Sequence, residues 1–419
     1  MNIGFFTDCY LPQIDGVVRS ILLFRKSLES AGHQVFVFAP KEIKSEIKFL
    51  QKATTEEEKN VFRFSAINSF FIPGYPVAFP ISLKTSYKIP KLNLDIIHSH
   101  SPIMIGMFGN LVALSENIPI ISTYHTYYSE YAKHYWPIKK FKFATSKMVK
   151  NFEIFYYNRV DQVITPSEKL KKILQESGIE NEITVLPTGI DLQEFKTGDG
   201  KRFRKKWGIG DDKKILLYVG RLNTEKNVDF LIEVANYLKN FPEIIFVFVG
   251  DGKSRARIEK KVGNLNLRDK VLFCEFLSRS ETVDAFFACD VFVFSSKTDT
   301  QGLVLGEAVA AGKPVVMVKD EGLNEMVVDG KNGFEVEEKV PVFAEKVLKL
   351  LRQPDLYAEM AENSKEIATK FSCEKQTEKL EKLYKRVMTE YEATSWRRKM
   401  WKELNKEYKV RVWLKKIIE

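Results

Sequence analysis

Asp299 and Glu307 lie eight residues apart in the segment TDTQGLVLGEA, on either side of Gly302. The spacing puts Asp299 in a loop and Glu307 more than a turn inside the helix that Gly302 opens. The first amides of a helix lack intrahelical partners and carry about half a positive charge, so an anion can settle there. Acids flanking that point can then reach hydroxyl groups on either side of the anion. Spacing alone leaves open a second reading, two unrelated surface acids. A cationic pair, Arg221 and Lys226, falls in GRLNTEKN just after an apolar run, where open α/β sheets bind ligands. Arginine offers phosphate a planar fork and lysine a point charge. Surface ion pairing would explain either residue taken singly.

Two further positions have the same local character. Gly16, after Asp15, precedes the first helix, and His125 in TYHTYYSEY follows a strand end. A buried structural histidine is the default for His125 in isolation, and many glycine turns do no more than connect elements. His98 and His100 alternate on a strand end, which is a weak metal signal. GDGKS (250–254) is half of a P-loop, with valine at 247 where Walker A needs glycine. No GxGxxG follows the first strand, and GxSxG, HExxH, an EF-hand loop and Asp-x-Asp are all missing.

These residues need a frame that holds strand ends together, and the hydrophobic pattern supplies one. NIGFFTD, QVFVFAP (Gln34 to Pro40), Leu94 to His98, Pro119 to Thr123 and DQVITPS read as buried strands. Helical periodicity separates them over Val17 to Ser30, Ile103 to Ser115 and from Ser167 to Gly178. Lys41 to Asn60 is charged and irregular, which predicts a surface excursion. A polar stretch from Phe195 to Asp212 predicts a linker. Beyond it KKILLYVG, IIFVFVG, VLFCEF, VFVFSS and PVVMV alternate with helices from Asn227 and Gly302. The final long helix runs from Glu374 to about Glu392. The fold class is α/β, two doubly wound parallel-sheet domains. The boundaries predicted are 1–194, 195–373 and a C-terminal segment over 374–419.

The 419 residues are 44% hydrophobic and 29% charged, an ordinary globular composition. Four scattered cysteines argue against a zinc ribbon or a disulfide framework. The opening residues lack a basic, apolar leader pattern and no run of about 18 apolar residues occurs. A cytoplasmic protein is the expectation. The net charge of +10 is local. Lys133 to Arg159 holds seven basic residues against Glu153, and Trp396 to Glu419 holds nine against three acids. The rest of the chain is slightly acidic.

Both stretches interleave aromatics with cations, the pattern of an interfacial membrane surface. The candidate contacts are Trp136, Lys139, Lys140, Lys142 and Lys147, then Trp396, Arg397, Arg398, Trp401 and Trp413. In the tail, Met400, Leu404, Tyr408 and Val412 recur every four residues. That stripe packing on the protein body stays open. Zinc-finger, RNP-type and helix-turn-helix patterns are missing, so nucleic acid is not an expected partner.

Taken in order, Gly16, His125, GRLNTEKN, VGDGKS and DTQGLVLGEA resemble the GT-B retaining glycosyltransferases of family 4, from Met1 to about Tyr391. YLPQIDGVVRS and the T-D-T-Q-G-L form of the acidic motif look like the bacterial lipid enzymes that make α-monoglucosyldiacylglycerol. Phosphatidylinositol mannosyltransferases share the layout more distantly. The resemblance implies that the amide of Gly16 binds a donor diphosphate, which Arg221 and Lys226 neutralise as it departs. Asp299 would hold sugar hydroxyls, the amides of Gln301, Gly302, Leu303 and Val304 would hold sugar and phosphate, and Glu307 the ribose. His125 would orient the sugar at its 6-hydroxyl, and the loop around Phe276 would carry the base.

The resemblance further implies a nucleotide sugar, UDP-glucose, as donor and a diacylglycerol-type acceptor at an anionic membrane on the inner face of the cell. It implies no metal and no required cofactor, with activation by anionic lipid. A soluble or polysaccharide acceptor is the alternative, and a non-catalytic sugar-nucleotide or membrane binder a remote one. Two departures stand out: Asp299 replaces the usual Glu, and Asp15 precedes Gly16 where Gly-Gly is common.

Overall fold

The run NIGFF is apolar at four of its five positions and forms a strand whose last four residues are all buried. That is what a parallel strand covered on both faces requires. The computed structural model describes residues 1–13, 15–41, 58–68, 76–80, 82–127, 142–297, 299–320 and 325–394. Most of the predicted Lys41–Asn60 excursion, the Trp136 to Lys140 segment and the whole tail from 395 lie outside them. The chain divides into two units, residues 1–188 with 376–419, and residues 189–375.

In the first unit the strands are β1 (Asn2–Phe6), β2 (Gln34–Pro40), β3 (Val61–Phe64), β4 (Ala66–Asn68), β5 (Pro76–Ala78), β6 (Ile96–Ser99), β7 (Ile120–Thr123), β8 (Gln162–Thr165) and β9 (Ile183–Val185). Seven of them form a parallel sheet in the order β3-β2-β1-β6-β7-β8-β9, with β4 and β5 a separate antiparallel pair. Alternate residues of β2 feed opposite cores. Phe36 and Phe38 join Phe6, Ile97 and Tyr157 on one face, while Val35 and Val37 join Ile3, Phe5 and Ile121 on the other.

The second unit contains β10 (Lys214–Val219), β11 (Ile244–Val249), β12 (Val271–Cys274), β13 (Val291–Phe294), β14 (Val315–Val318) and β15 (Gly333–Val336). Their order is β12-β11-β10-β13-β14-β15, all parallel. Leu216 and Tyr218 face one core, Ile215 and Leu217 the other. In each sheet the order reverses once, between β1 and β6 and between β10 and β13. Ligands of open parallel sheets bind outside the strand carboxyl ends at such a switch point.

The polar stretch read as a linker is not one. Residues Gly200–Trp207 form a helix whose N-cap, Asp199, accepts from the amides of Lys201 and Arg202. Phe203 is buried in the second core, and Arg202 grips Asp284 through Nε and Nη2, at 2.5 and 2.7 Å. Two large apolar residues, Phe203 and Trp207, among the charges were too faint a periodic signal to announce that packing. The expected strand at Leu94–His98 starts two residues later, at Ile96.

The last described helix, Cys373–Thr394, leaves the second unit and joins the first. Leu380, Leu383, Tyr384 and Val387 enter the core that holds β1 and the Gly16–Ser30 helix. Burying each aliphatic side chain there contributes about 1.5–3 kcal/mol.

Candidate active site

In the second unit the loops after β10 and β11 interlock. Leu222 N–H donates to Asp251 O at 2.9 Å, Ser254 N–H to Leu222 O at 2.9 Å, and Lys253 N–H to Asn223 Oδ1 at 2.9 Å. This contact explains the GDGKS sequence without a P-loop. Gly250 has φ +126°, and a Cβ there would lie 2.2 Å from Gly220 O. The loop then closes in a short 3-10 turn, Thr224–Lys226. The buried Ser295 hydroxyl, just past β13, donates to the carbonyls of Lys226 (3.0 Å) and Asn227 (2.9 Å). The loops following β10 and β13 are thus tied together at the switch point.

That tie brings Lys226 Nζ to 2.6 Å from Asp299 Oδ1. Burial pushes the Asp299 carboxyl up, but the adjacent Lys226 ammonium, the Ser296 hydroxyl and the Arg221 guanidinium hold it below its ordinary value. Asp299 is ionised at neutral pH. Its second oxygen, Oδ2, is sealed from solvent and meets no hydrogen-bond partner. Buried carboxylate oxygens are ordinarily paired, so this one is an acceptor in waiting. Beneath it Tyr218 is fully buried and its hydroxyl donates to Arg221 O at 3.1 Å.

Gly302 caps the helix Leu303–Ala310 in the left-handed region, at φ +66°. A side chain would be strained there, and the turn presents the first amides of the helix beside Asp299 in the chain. Glu307 is held by Arg279 Nη1 at 2.6 Å, and Arg279 Nη2 also reaches Glu194 at 2.7 Å. Neither Arg279 nor Glu194 was legible beforehand. Arg279 follows Ser278, whose capping box with Glu281 is a purely local helix-start signal. Its real partners are distant in sequence. Phe276, on the loop after β12, is 44% exposed.

In the first unit the exposed Gly16 opens the first helical turn, and Asp15 is its N-cap, accepting from Val18 N–H at 2.9 Å. The aspartate that departs from the Gly-Gly pattern therefore has a job of its own, satisfying an orphan amide. His125 follows β7 as expected, but it is not alone. Its Nε2 lies 3.1 Å from His100 Nδ1, and the His100 ring stacks on His98 with centroids 4.2 Å apart. His98 in turn bonds Tyr384 Oη and Thr123 Oγ1, each at 2.6 Å. Burial pushes the imidazoles of His98 and His125 down to about 3, and that of His100 well below its usual value. Among the described residues no group of three or more His, Cys, Asp or Glu side chains is arranged to hold a metal ion.

Of the basic aromatic stretches, the structure describes residues 142–159, chiefly the helix Lys142–Tyr157. Its Tyr156 and Tyr157 point inward, with Tyr156 Oη donating to Ser99 Oγ at 2.7 Å. Lys147 and Met148 are exposed, and Phe155 is 50% exposed. The side chain of Lys142 and the residues Trp136, Lys139, Lys140, Trp396, Arg397, Arg398, Trp401 and Trp413 fall outside what is described. Among the described residues no helix is long and apolar enough to cross a membrane.

Two doubly wound parallel-sheet units, each with polar residues gathered at its switch point, are the architecture of the GT-B class, and the family matches make this one a glycosyltransferase. Residues 14–194 match the family described as Glycosyltransferase Family 4, and residues 199–367 the one described as Glycosyl transferases group 1. The alpha-monoglucosyldiacylglycerol synthase of Streptococcus pneumoniae is 33% identical over 335 residues, covering 78% of this chain and 74% of that protein. Its namesake from Acholeplasma laidlawii is 29% identical over 386 residues, covering 88% and 93%. Among solved structures, Anabaena Alr3699/HepE in complex with UDP superposes with a TM-score of 0.73 at 18% identity, over 92% of this chain and all of that one. The chain belongs to the family 4 glycosyltransferases, among the relatives of the glucosyldiacylglycerol synthases.

Proposed function

We propose that this enzyme transfers a glucosyl group from UDP-glucose to diacylglycerol at an anionic membrane surface, with retention at the anomeric carbon. The observation that carries the reading is Asp299 Oδ2, a buried, ionised and unpartnered acceptor beside a helix start. A sugar hydroxyl placed there would gain a charge-assisted hydrogen bond. The helix amides of Gln301, Gly302, Leu303 and Val304 would take sugar and phosphate oxygens. Arg221 and Lys226 would compensate the charge that grows on the departing UDP. Glu307, fixed in place by Arg279, would accept from the ribose hydroxyls, and backbone groups around Phe276 would meet the base. Gly16 would add an amide to the diphosphate, and His125 would touch the sugar. No step in this scheme calls for a metal ion.

The choice of glucose and diacylglycerol rests on the names of the two synthases described above, and on the cationic aromatic stretches. A small soluble acceptor would have no use for those stretches. They would place the enzyme peripherally on the membrane, with anionic lipid as an activator.

The test is transfer of radiolabelled glucose from UDP-glucose to diacylglycerol in vesicles, with and without phosphatidylglycerol and with EDTA in a parallel set. A labelled glycolipid that survives EDTA and rises with anionic lipid is expected. UDP release without glycolipid would move the acceptor to a soluble molecule.

A further inference from the structure

Three imidazoles stand in a row in the first unit, and the middle one has a nitrogen with nothing to bond. His100 is 1% exposed; its Nδ1 faces His125 Nε2 at 3.1 Å, while its Nε2 is sealed and unpartnered. The plane of the His100 ring is fixed by its neighbours. His98 stacks on it at 4.2 Å and Phe5 packs on it in a T-shaped contact at 4.7 Å, and His98 is itself anchored at both nitrogens by Tyr384 and Thr123. Among the described residues no carboxylate bonds any of the three rings, so none of them is oriented by an acid in the usual way.

A neutral imidazole carries one N–H. Were it on Nε2 of His100, a buried donor would be orphaned, at a cost of about 1–3 kcal/mol. Orphaned buried N–H groups are rarer than under-satisfied acceptors. Placed on Nδ1, the same hydrogen is donated to His125 Nε2, and only a lone pair is left unmet. His125 then accepts at Nε2 and must carry its own hydrogen on Nδ1.

We infer that His100 is a positioning residue that locks His125 in the Nδ1–H tautomer, so that His125 presents a hydrogen-bond donor to an oxygen of the donor sugar. The inference rests on the proposed contact between His125 and the sugar. The histidine pair does the work that a carboxylate does elsewhere, without placing a second negative charge near a departing diphosphate. The stack links that tautomer to Tyr384, on the helix that returns from the second unit.

The experiment uses the full chain labelled with 15N-histidine and two-bond 1H–15N correlation, with the His125 signals assigned by their loss in His125→Gln. The wild-type spectrum is expected to show His125 protonated on Nδ1. In His100→Phe, which keeps a ring for the stack but removes the donor, that preference should vanish. Glucosyl transfer should slow roughly 10–100-fold, the size of loss found when a partner that orients a metal-bound imidazole is removed. UDP affinity should hold. His100→Asn, whose amide reaches the same point as Nδ1, should restore the tautomer and most of the turnover.

A wild-type His125 protonated on Nε2 overturns the inference, as does an unaltered tautomer in His100→Phe. If His100→Phe does not fold, the wild-type spectrum decides alone. A failure of the donor assignment is separable, because the wild type would then transfer no glucose while the tautomer is read without any donor.

Discussion

In residues 189–375 the polar side chains at the switch point are charged and paired, Lys226 with Asp299 and Arg279 with both Glu194 and Glu307. In residues 1–188 the corresponding strand ends carry His98, His100 and His125, all neutral and in contact through rings and one another's nitrogens. Under the proposed scheme the contrast follows from what each half would handle. A diphosphate leaves with negative charge, which fixed cations stabilise. A sugar hydroxyl needs a donor or acceptor in a fixed direction, and a neutral array supplies it without the desolvation cost of a buried ion. The ionic half is therefore expected to fail through lost charge, the imidazole half through lost geometry or forced protonation.

The largest effect should come from Lys226→Ala. The departing diphosphate loses compensation and Asp299 loses its partner, so transfer should slow about 10²–10³-fold. Both partners are partly solvated, at 15% and 19% side-chain exposure. The cost in stability should accordingly be about 1–3 kcal/mol. Single-turnover kinetics and urea unfolding measure the two separately. Near-wild-type turnover would remove Lys226 from the diphosphate site and with it the charge logic of the second unit.

A smaller effect tests the neutral half. Burial holds His98 and His125 near 3, against 6.5 for an exposed imidazole. Between those values the unfolded chain binds protons that the folded chain does not, so stability falls as pH drops from about 6.5 toward 3 and is level above 6.5. Melting temperatures between pH 5 and 8 isolate this window from carboxylate titration. A melting temperature that stays constant down to pH 5 would mean the imidazoles are not held neutral.

Much of the frame was readable in the chain. QVFVFAP is a strand over its whole length, Gly178 ends its helix, and the alternation of buried runs specified two parallel sheets. The placement of His125, Arg221 and Lys226 just after strand ends, and of Asp299 before the Gly302 helix start, was legible because those signals are local. What escaped reading depends on contacts between distant segments. The Arg279–Glu307 pair, the Ser295 tie to the 224–227 turn and the hydrogen bond from His100 to His125 leave no periodic trace. The helix Gly200–Trp207 escaped because its charged face hides a single buried Phe203. His98 and His100 were seen as a pair but weighed only as metal ligands, since stacking partners cannot be inferred from alternate positions on one strand.

The central question for this enzyme is whether Asp299 reads the sugar. Calorimetric titration of UDP and of UDP-glucose into the wild type and Asp299→Asn isolates that contact. Wild type should bind UDP-glucose more tightly than UDP, and the variant should lose that preference while keeping its affinity for UDP. An unchanged preference in the variant, or equal losses for both ligands, would contradict the assignment of the buried Oδ2 to a sugar hydroxyl.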